Sequence, residues 1–428
     1  MSMIVRGVVL LAVLSSLFAP SCRPPLRIAG RKAANPLEKI LAAHSASFDS
    51  ILSQPGVYQV QIIYTQIDRD NQQRPRFTQY AWNLDETRYF YPASVVKMPL
   101  AVLSLEKLNN LQRNGFLDLT RETPYLLDSL RPFQANYKRE PTAPTGLPTL
   151  SHDIRQVFAV SDNDAYNHLF EFLGRADINR SLHEHGYWNT GIVHRFNYPG
   201  RDNRYAQPIT FYNQHGVVYQ EGERFTDKPW LNPQQNLRQG RAYIDSRDSL
   251  VLQPFDFSRK NWFSLGDMEK MLRAILFPES VPPENRFCLQ PDDYRFLWQC
   301  MGMFPRECPA PVYDTLQYWD SYVKFFVEGD SRQPLDGRVR AFNKVGEAYG
   351  FLTDVAYVVD FELNVEFVLA ATICCNSDGI FNDGVYDYDQ TGFPFLANLG
   401  RAVLEYERRR HKKVKPDLRP FADALRAN

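Results

Sequence analysis

The sequence predicts an α/β (α+β) protein in which both chain ends build an antiparallel sheet flanked by helices, with a helical domain inserted between them. A helical pattern and two strand-like segments open the 428-residue chain, and helical patterns fill its middle. Three strand-like segments and a last helical pattern close it. This order is typical of a sheet that the two ends of the chain share.

The opening elements follow from hydrophobic periodicity. Apolar residues recur at helical spacing over residues 36–52 and alternate with mostly polar ones over residues 58–64, which predicts a helix and then a strand. Residues 77–84 predict a second strand. Over residues 94–111 apolar side chains fall on nearly every helical face, so we expect a buried helix there.

The middle of the chain is largely helical in pattern, and its end is largely strand-like. Helices are predicted over residues 151–160, 164–173 and 264–276, the last after a Ser264 cap, whereas residues 187–262 show little periodicity. The closing elements are predicted strands over residues 339–345, 353–361 and 365–373 and a helix over residues 393–409.

These elements suggest a division of the chain. We predict a lipoprotein-type signal peptide at residues 1–22, a linker at 23–35, a sheet-containing subdomain made of 36–92 and 336–428, and a helical subdomain at 93–335 with an insertion at about 197–335. The aromatic content of the insertion fits a longer substrate groove, and it equally fits a structural elaboration with its own small core.

The first residues are typical of a secretory signal. Arg6 precedes an apolar run from Val8 to Phe18, and small residues then lead to Cys22. Cys22 stands where a lipoprotein carries its lipid, although Ala19 replaces the usual leucine. We expect a periplasmic or membrane-anchored chain; soluble export and no export are the alternatives.

Composition excludes some classes of protein. Lysine plus arginine and aspartate plus glutamate both number 49, and this balance argues against a nucleic-acid-binding protein. His183-Glu184-His185 lacks the spacing of a zinc helix, and we predict neither a metal nor a cofactor. The cysteines after the signal are Cys288, Cys300, Cys308, Cys374 and Cys375. Cys300 and Cys308 form a disulfide under one interpretation, and all five are buried free thiols under the other.

Three short motifs carry the candidate chemistry: Ser94-Val95-Val96-Lys97, Ser161-Asp162-Asn163 and Lys344-Val345-Gly346. Their spacing puts Ser94 and Lys97 on one face of a helix start. A serine needs a base to become a nucleophile, and a lysine is such a base when burial and a nearby cation lower its pKa.

The other two motifs supply the remaining roles. Lys344 is a candidate for the nearby cation and for holding a substrate carboxylate. Ser161 is a candidate for passing the proton to the leaving nitrogen. Asn163 is a candidate for hydrogen-bonding a substrate amide.

Two other serine–lysine pairs share the S-x-x-K spacing, Ser104–Lys107 and Ser321–Lys324. Ser104 falls in the middle of a predicted helix, and Ser321 follows the second motif in the wrong order. Ser94 starts a buried helix and precedes both other motifs, so we predict Ser94 as the nucleophile. Taken alone, this serine is an ordinary helix N-cap.

The set resembles the class A serine β-lactamases and their penicillin-binding relatives, whose motifs are S-x-x-K, S-D-N and K-T-G. The resemblance extends to the helix after Ser161 and to the strand and Tyr-Gly turn after Lys344. It covers about residues 36–196 and 336–410 and implies a β-lactamase-like fold.

The resemblance also implies roles for individual residues. The catalytic residues that it implies are Ser94, Lys97 and Ser161, and the substrate-binding residues are Asn163, Lys344 and Gly346. The oxyanion hole that it implies consists of the backbone N–H groups of Ser94 and Glu347. The implied substrate is a β-lactam or a peptidoglycan peptide.

Three features depart from the family pattern. The stretch from residue 186 to 220 contains no glutamate to activate a deacylating water, and the neutral Asn197 cannot act as a general base. Val345 stands where the family usually has a hydroxyl residue. The separation between Ser161 and Lys344 is longer than is usual in the family.

We therefore predict an exported serine hydrolase of the class A β-lactamase type that acylates Ser94 with a β-lactam or related amide and hydrolyses it, with slow release as one outcome. A penicillin-binding carboxypeptidase or transpeptidase is the first alternative. A binding or sensing protein that keeps the fold without turnover is the second.

Overall fold

The computed structural model describes residues 35–197 and 202–426. The helices in these ranges are α1 (Pro36–Ala43), α2 (Ser45–Leu52), α3 (Pro55–Tyr58), α4 (Lys97–Arg113), α5 (Leu150–Ala159), α6 (Asn163–Leu173), α7 (Arg175–Glu184), α8 (Leu265–Leu276), α9 (Pro291–Gly302), α10 (Phe393–Arg409) and α11 (Arg419–Arg426). The predicted signal peptide, most of the predicted linker and Cys22 lie outside the described residues, and the proposed division into subdomains stays a prediction.

The strands of the same ranges fall into one large sheet and several small ones. They are β1 (Gln61–Arg69), β2 (Pro75–Trp82), β3 (Tyr125–Leu127), β4 (Thr190–Gly191), β5 (Tyr205–Ala206), β6 (Ile209–Asn213), β7 (Gly216–Glu221), β8 (Arg224–Phe225), β9 (Arg238–Gln239), β10 (Ala242–Ile244), β11 (Leu250–Val251), β12 (Phe255–Asp256), β13 (Trp262–Phe263), β14 (Val339–Ala348), β15 (Phe351–Asp360), β16 (Val365–Cys374) and β17 (Ile380–Phe381).

The large sheet has the strand order β14-β15-β16-β1-β2, with antiparallel neighbours throughout. Strands β1 and β2 come from the start of the chain, and β14, β15 and β16 come from its end. The predicted α/β (α+β) class, with an antiparallel sheet from both chain ends, is confirmed. Strand β14 lies at one edge of this sheet, so its outer backbone groups are free to meet other parts of the molecule.

Both faces of the large sheet are covered, which explains why β15 and β16 are buried along their whole length. Successive side chains of a strand point to opposite faces. Val355 and Tyr357 accordingly join the larger core with α4, α5, α6, α8 and α9, whereas Ala356 and Val358 join a second core with α1, α2 and α10. The sheet therefore lies between two helical layers.

Most predicted elements are present with small shifts of their ends. The predicted helix over residues 36–52 is two helices, α1 and α2, with a break at His44. The predicted helix from residue 94 begins with a 3₁₀ turn, Ala93–Val96, before α4. Ser264 caps α8 as predicted, because its side chain accepts a hydrogen bond from the backbone N–H of Asp267.

The long segment between the S-D-N and K-V-G motifs contains strands as well as helices. Residues 205–263 carry the strands β5 to β13, which are two to six residues long. Alternation over so few residues is too short to recognise in a sequence, which explains the missing periodicity. All five described cysteines are free thiols, including Cys300 and Cys308. No helix in the described ranges is long and apolar enough to span a bilayer.

A buried lysine fixes the end of this segment to β14. Lys324, 3 % exposed, donates from Nζ to Met301 O (2.6 Å), Ala341 O (3.0 Å) and Asn343 Oδ1 (2.7 Å). Asn343 in turn donates to Asp354 Oδ1 at 2.8 Å. Burial lowers the pKa of Lys324 to about 7 and raises that of Asp354 to about 6, so the loss of hydration outweighs the stabilisation that this network gives to each charge.

We expect Lys324→Met to lower the free energy of unfolding by about 3 kcal/mol, because it leaves buried acceptors without their donor. Lys413→Met, at an exposed position, is the matched control and should change stability little. Urea unfolding of both variants measures the difference. A loss below about 1 kcal/mol for Lys324→Met would mean that the network does not anchor the segment.

Candidate active site

Ser94 lies on the 3₁₀ turn that leads into α4. Its side chain is half-buried and lines a cavity of about 680 Å³. The preceding residue, Ala93, has φ +44°, a left-handed conformation that an alanine rarely adopts. Such strain persists only where the surroundings hold the backbone, and it is found often at functional sites.

The contact that holds this turn is made by Gly346 on β14. A Cβ at residue 346 would lie 2.4 Å from Pro92 O and 3.0 Å from Val95 Cγ2. Only a glycine therefore lets the edge strand approach the backbone of the serine turn. The third motif meets the first through this contact.

Lys97, three residues after Ser94, is fully buried. Its Nζ donates to Asn163 Oδ1 at 2.7 Å, to Ser161 Oγ at 3.3 Å and to the carbonyl oxygen of Ser161. Ser94 Oγ is not among these acceptors. Burial lowers the pKa of Lys97 to about 7, although the carboxylates of Asp162 and Asp164 act in the opposite direction.

Lys344 approaches the same serine from the sheet. Its Nζ, on a residue that is 2 % exposed, donates to Ser161 Oγ at 2.8 Å and to Val345 O at 3.0 Å. Burial lowers the pKa of Lys344 well below its ordinary value, and repulsion by Lys97 lowers it further. The two lysines thus share one acceptor, Ser161 Oγ.

Ser161 lies just before α6 in a left-handed conformation, with φ +61°. The side chain of the next residue, Asp162, caps the helix by accepting a hydrogen bond from Ala165 N at 2.8 Å. The cap fixes where α6 begins, and the unusual backbone turns Ser161 toward the two lysines. Because both lysines donate to Ser161 Oγ, the hydroxyl hydrogen remains free to donate elsewhere.

Asn163 is the first residue of α6 and also lines the cavity. Its Oδ1 accepts from Lys97, so its Nδ2 is the end that remains to donate to a bound molecule. Lys97, Ser161, Asn163 and Lys344, which come from all three motifs, therefore lie within one hydrogen-bonded group around Ser161, and Ser94 lines the adjoining cavity.

The backbone of Glu347 faces the same open edge as that of Val345. Val345 O accepts from Lys344 Nζ, so the outer backbone groups at residue 345 point toward the site. Along an antiparallel strand, residues two apart point their N–H and C=O groups in the same direction. We therefore expect the N–H of Glu347 to point toward the Ser94 turn, where the resemblance puts an oxyanion hole.

The loop before the undescribed residues 198–201 packs against the catalytic lysine candidate. The ring centroid of Phe196 lies 5.2 Å from Lys97 Nζ. The backbone N–H of Phe196 donates to Asn167 Oδ1 at 3.0 Å, and Asn167 Nδ2 donates to the carbonyl oxygen of Phe196 at 2.9 Å. A buried ion pair of Arg195 with Glu171, 2.7 Å long, fixes the loop to α6.

The other two S-x-x-K pairs have structural contacts. Ser104 is buried in the middle of α4, and Lys107 forms a 2.6 Å ion pair with Glu221. Ser321 donates to the carbonyl of Ser331, and Lys324 donates to Asn343 of β14 in the buried network described above. Neither lysine donates to its own motif serine.

Sequence reasoning missed several cavity-lining residues. Trp319, Arg332 and Asp389 line the same cavity as Ser94, and none belongs to a recognised motif. Glu347, whose backbone the resemblance assigns to the oxyanion hole, also lines this cavity. Burial raises the pKa of Glu347, and the charge of Asp389 raises it further. Among the described residues, no group of three or more histidine, cysteine or acidic side chains is arranged to hold a metal ion.

Comparison with known proteins gives one family. The model of the beta-lactamase enzyme family matches residues 45–290, a span that includes Ser94, Lys97, Ser161 and Asn163 but ends before Lys344. No curated protein matches the chain significantly.

Similar solved structures include three proteins at 14 % identity. They are a beta-lactamase from Sphaerobacter thermophilus (TM-score 0.45, 86 % of this chain and 97 % of that one), a beta lactamase from Xanthomonas campestris pv. campestris (TM-score 0.46, 86 % and 98 %) and PBP-A (TM-score 0.47, 87 % and 96 %).

We expect Gly346→Ala to lower the free energy of unfolding by about 1–3 kcal/mol, because the added methyl group overlaps Pro92 O. Gly222→Ala is the matched control, since a Cβ at residue 222 meets no atom within 4 Å. Denaturant unfolding of the two variants tests this. Equal stability of both variants would refute the close contact between β14 and the serine turn.

Proposed function

The chain belongs to the beta-lactamase enzyme family, and from that premise we propose that it is an exported serine hydrolase whose Ser94 is acylated by a β-lactam or a related amide. The observation that carries the proposal is the sharing of Ser161 Oγ by two buried lysines, Lys97 and Lys344, beside the cavity that Ser94 lines. A buried amine of lowered pKa next to an accessible serine is what nucleophilic amide cleavage requires.

In the first step neutral Lys97 accepts the Ser94 hydroxyl proton while Ser94 Oγ attacks the carbonyl carbon. The charged form of Lys97 donates all three of its Nζ hydrogens to Ser161 and Asn163. The neutral amine has two hydrogens and a lone pair. The bond to Ser161 Oγ, at 3.3 Å, is the longest and the easiest to give up. Its loss frees the lone pair for Ser94.

In the second step the carbon–nitrogen bond of the substrate breaks, and the ester with Ser94 remains. Lys97 passes the proton that it took from Ser94 to Ser161 Oγ. At the same time the hydroxyl hydrogen of Ser161 passes to the leaving nitrogen. Lys344 Nζ, 2.8 Å from Ser161 Oγ, donates a hydrogen bond that stabilises the transient charge on that oxygen. The nitrogen therefore leaves as a neutral amine.

The oxyanion of the tetrahedral intermediate is held by the backbone N–H groups of Ser94 and Glu347. One such donor typically stabilises the transition state by about 3 kcal/mol. The close contact between Gly346 and the Ser94 turn keeps the two donors together. Backbone rather than side chain supplies this function, so the glutamate side chain of residue 347 is free to vary.

A substrate carboxylate meets a mixed environment in this cavity. In its charged form Lys344 has three Nζ hydrogens and donates two of them within the protein, which leaves one for a carboxylate. Val345 supplies no hydroxyl to help it, and Glu347 and Asp389 add negative charge to the cavity lining. We expect weaker binding of anionic β-lactams than a hydroxyl residue at position 345 would give.

Release of the acyl group is the slow half of the proposed cycle. Between residues 186 and 220 the only acidic residue is Asp202, which forms a 2.6 Å ion pair with Arg204. The flanking Glu221 is paired with Lys107 at 2.6 Å. Neither carboxylate is free to activate a water, so the ester on Ser94 should persist.

The lack of an unpaired carboxylate between residues 186 and 221 favours a second candidate function, a penicillin-binding carboxypeptidase or transpeptidase that acts on peptidoglycan peptides. Such an enzyme carries out the same acylation of Ser94 and stays blocked by a β-lactam. A binding or sensing protein without turnover would behave in the same way toward β-lactams but would release no product from a peptide.

Export is part of the proposal, and it rests on the sequence alone. Arg6, the apolar run that follows it and Cys22 support a signal of the lipoprotein type. The proposed location is the periplasm, with a lipid on Cys22 as the membrane anchor.

Incubation with a fluorescent penicillin and a chromogenic cephalosporin tests the function. We expect Ser94-dependent labelling that persists, with little colour change, because the site has a base for acylation and the loop of residues 186–221 has no unpaired carboxylate for release. Ser94→Ala should abolish the label. Ser321→Ala should keep it, since this serine also precedes a lysine by three residues and lines the same cavity. Unchanged labelling of Ser94→Ala would refute the nucleophile, and rapid colour change would refute slow release.

A further inference from the structure

One wall of the Ser94 cavity is formed by residues 319–332, which belong to the long segment between the S-D-N and K-V-G motifs. Trp319, Tyr322 and Arg332 line the cavity from this wall. The wall is held in place by the buried hydrogen bonds of Lys324 to β14 and its neighbours. It is thus a fixed part of the site.

Two aspartates of this wall, Asp330 and Asp320, are already paired within the protein. Asp330 accepts two hydrogen bonds from Arg401, at 2.9 and 2.6 Å. Asp320 forms an ion pair with Arg306 and accepts from Leu335 N at 2.7 Å. Their charges are therefore not available to a bound molecule.

Arg332 differs from these neighbours. Its guanidinium carbon lies 4.2 Å from the centroid of the Trp319 ring, and the side chain is exposed. Within the described ranges Arg332 takes part in no hydrogen bond or ion pair. Stacking on an aromatic ring holds a guanidinium group in place and leaves its edge N–H groups free to donate.

The free N–H groups of Arg332 indicate what kind of group would bind there. A guanidinium edge matches a carboxylate, with two parallel N–H···O bonds. The indole ring beside it offers a flat apolar surface to the group that carries the carboxylate. The acidic side chains of the lining, Glu347 and Asp389, repel an anion and direct it toward Arg332.

We infer that Trp319 and Arg332 form a subsite for a carboxylate on the acyl side chain of the substrate, separate from the carboxylate that Lys344 faces. This inference rests on the proposed acylation of Ser94 and names the substrate class: amides whose acyl part ends in a carboxylate. The segment between the S-D-N and K-V-G motifs then contributes directly to specificity.

Two penicillins isolate the subsite. Benzylpenicillin and carbenicillin differ by one carboxylate on the acyl side chain. Binding of each to Ser94→Ala is measured by titration calorimetry, which needs no covalent step, and acylation of the chain with Ser94 intact is measured in parallel. Each is repeated with Arg332→Gln, and with Arg247→Gln as a control at an exposed arginine outside the cavity lining.

We expect Arg332→Gln to weaken carbenicillin binding about tenfold and to leave benzylpenicillin binding unchanged, with no effect of Arg247→Gln. Equal weakening of both penicillins would overturn the inference, because Arg332 would then serve the carboxylate they share. No effect on either, or no binding of carbenicillin, would overturn it as well. Arg332-dependent binding without acylation of Ser94 would refute the proposed function alone.

Discussion

The site depends on one oxygen, Ser161 Oγ, that accepts hydrogen bonds from two lysines. Lys97 reaches it from the start of α4, and Lys344 reaches it from β14. Both amines lose hydration on burial, which lowers both pKa values, and repulsion by Lys97 lowers the pKa of Lys344 further. The shared acceptor reduces the cost of burying both amines, and the lowered pKa of Lys97 supports its proposed role as a base near neutral pH.

The rest of the fold keeps these three groups together. The antiparallel sheet brings the end of the chain beside its beginning, and the edge strand β14 places Lys344 next to the Ser94 turn. Gly346 allows that approach because it has no side chain. The cap at Asp162 sets where α6 begins and thus where Ser161 lies. Each of these constraints is local, yet all three are needed for one hydrogen-bonded group.

Periodicity predicts the large elements well and the site only in part. The helix predicted over residues 393–409 matches α10, because a long amphipathic pattern is unambiguous. The three motifs predict which side chains meet around Ser161. The stacking of Arg332 on Trp319 is not predictable, since it depends on how residues 308–338, a stretch of turns without regular helix or strand, pack against the cavity. The identity of the shared acceptor, too, depends on distances that no motif encodes.

The pH dependence of single-turnover acylation of Ser94, from about pH 5 to about pH 9, tests the central claim most directly. Lys97 acts as a base only when neutral, and its pKa is about 7. The acylation rate should therefore rise about tenfold per pH unit below that value and level off above it. A rate that is constant over the range, or that falls as the pH rises through 7, would contradict the role of Lys97.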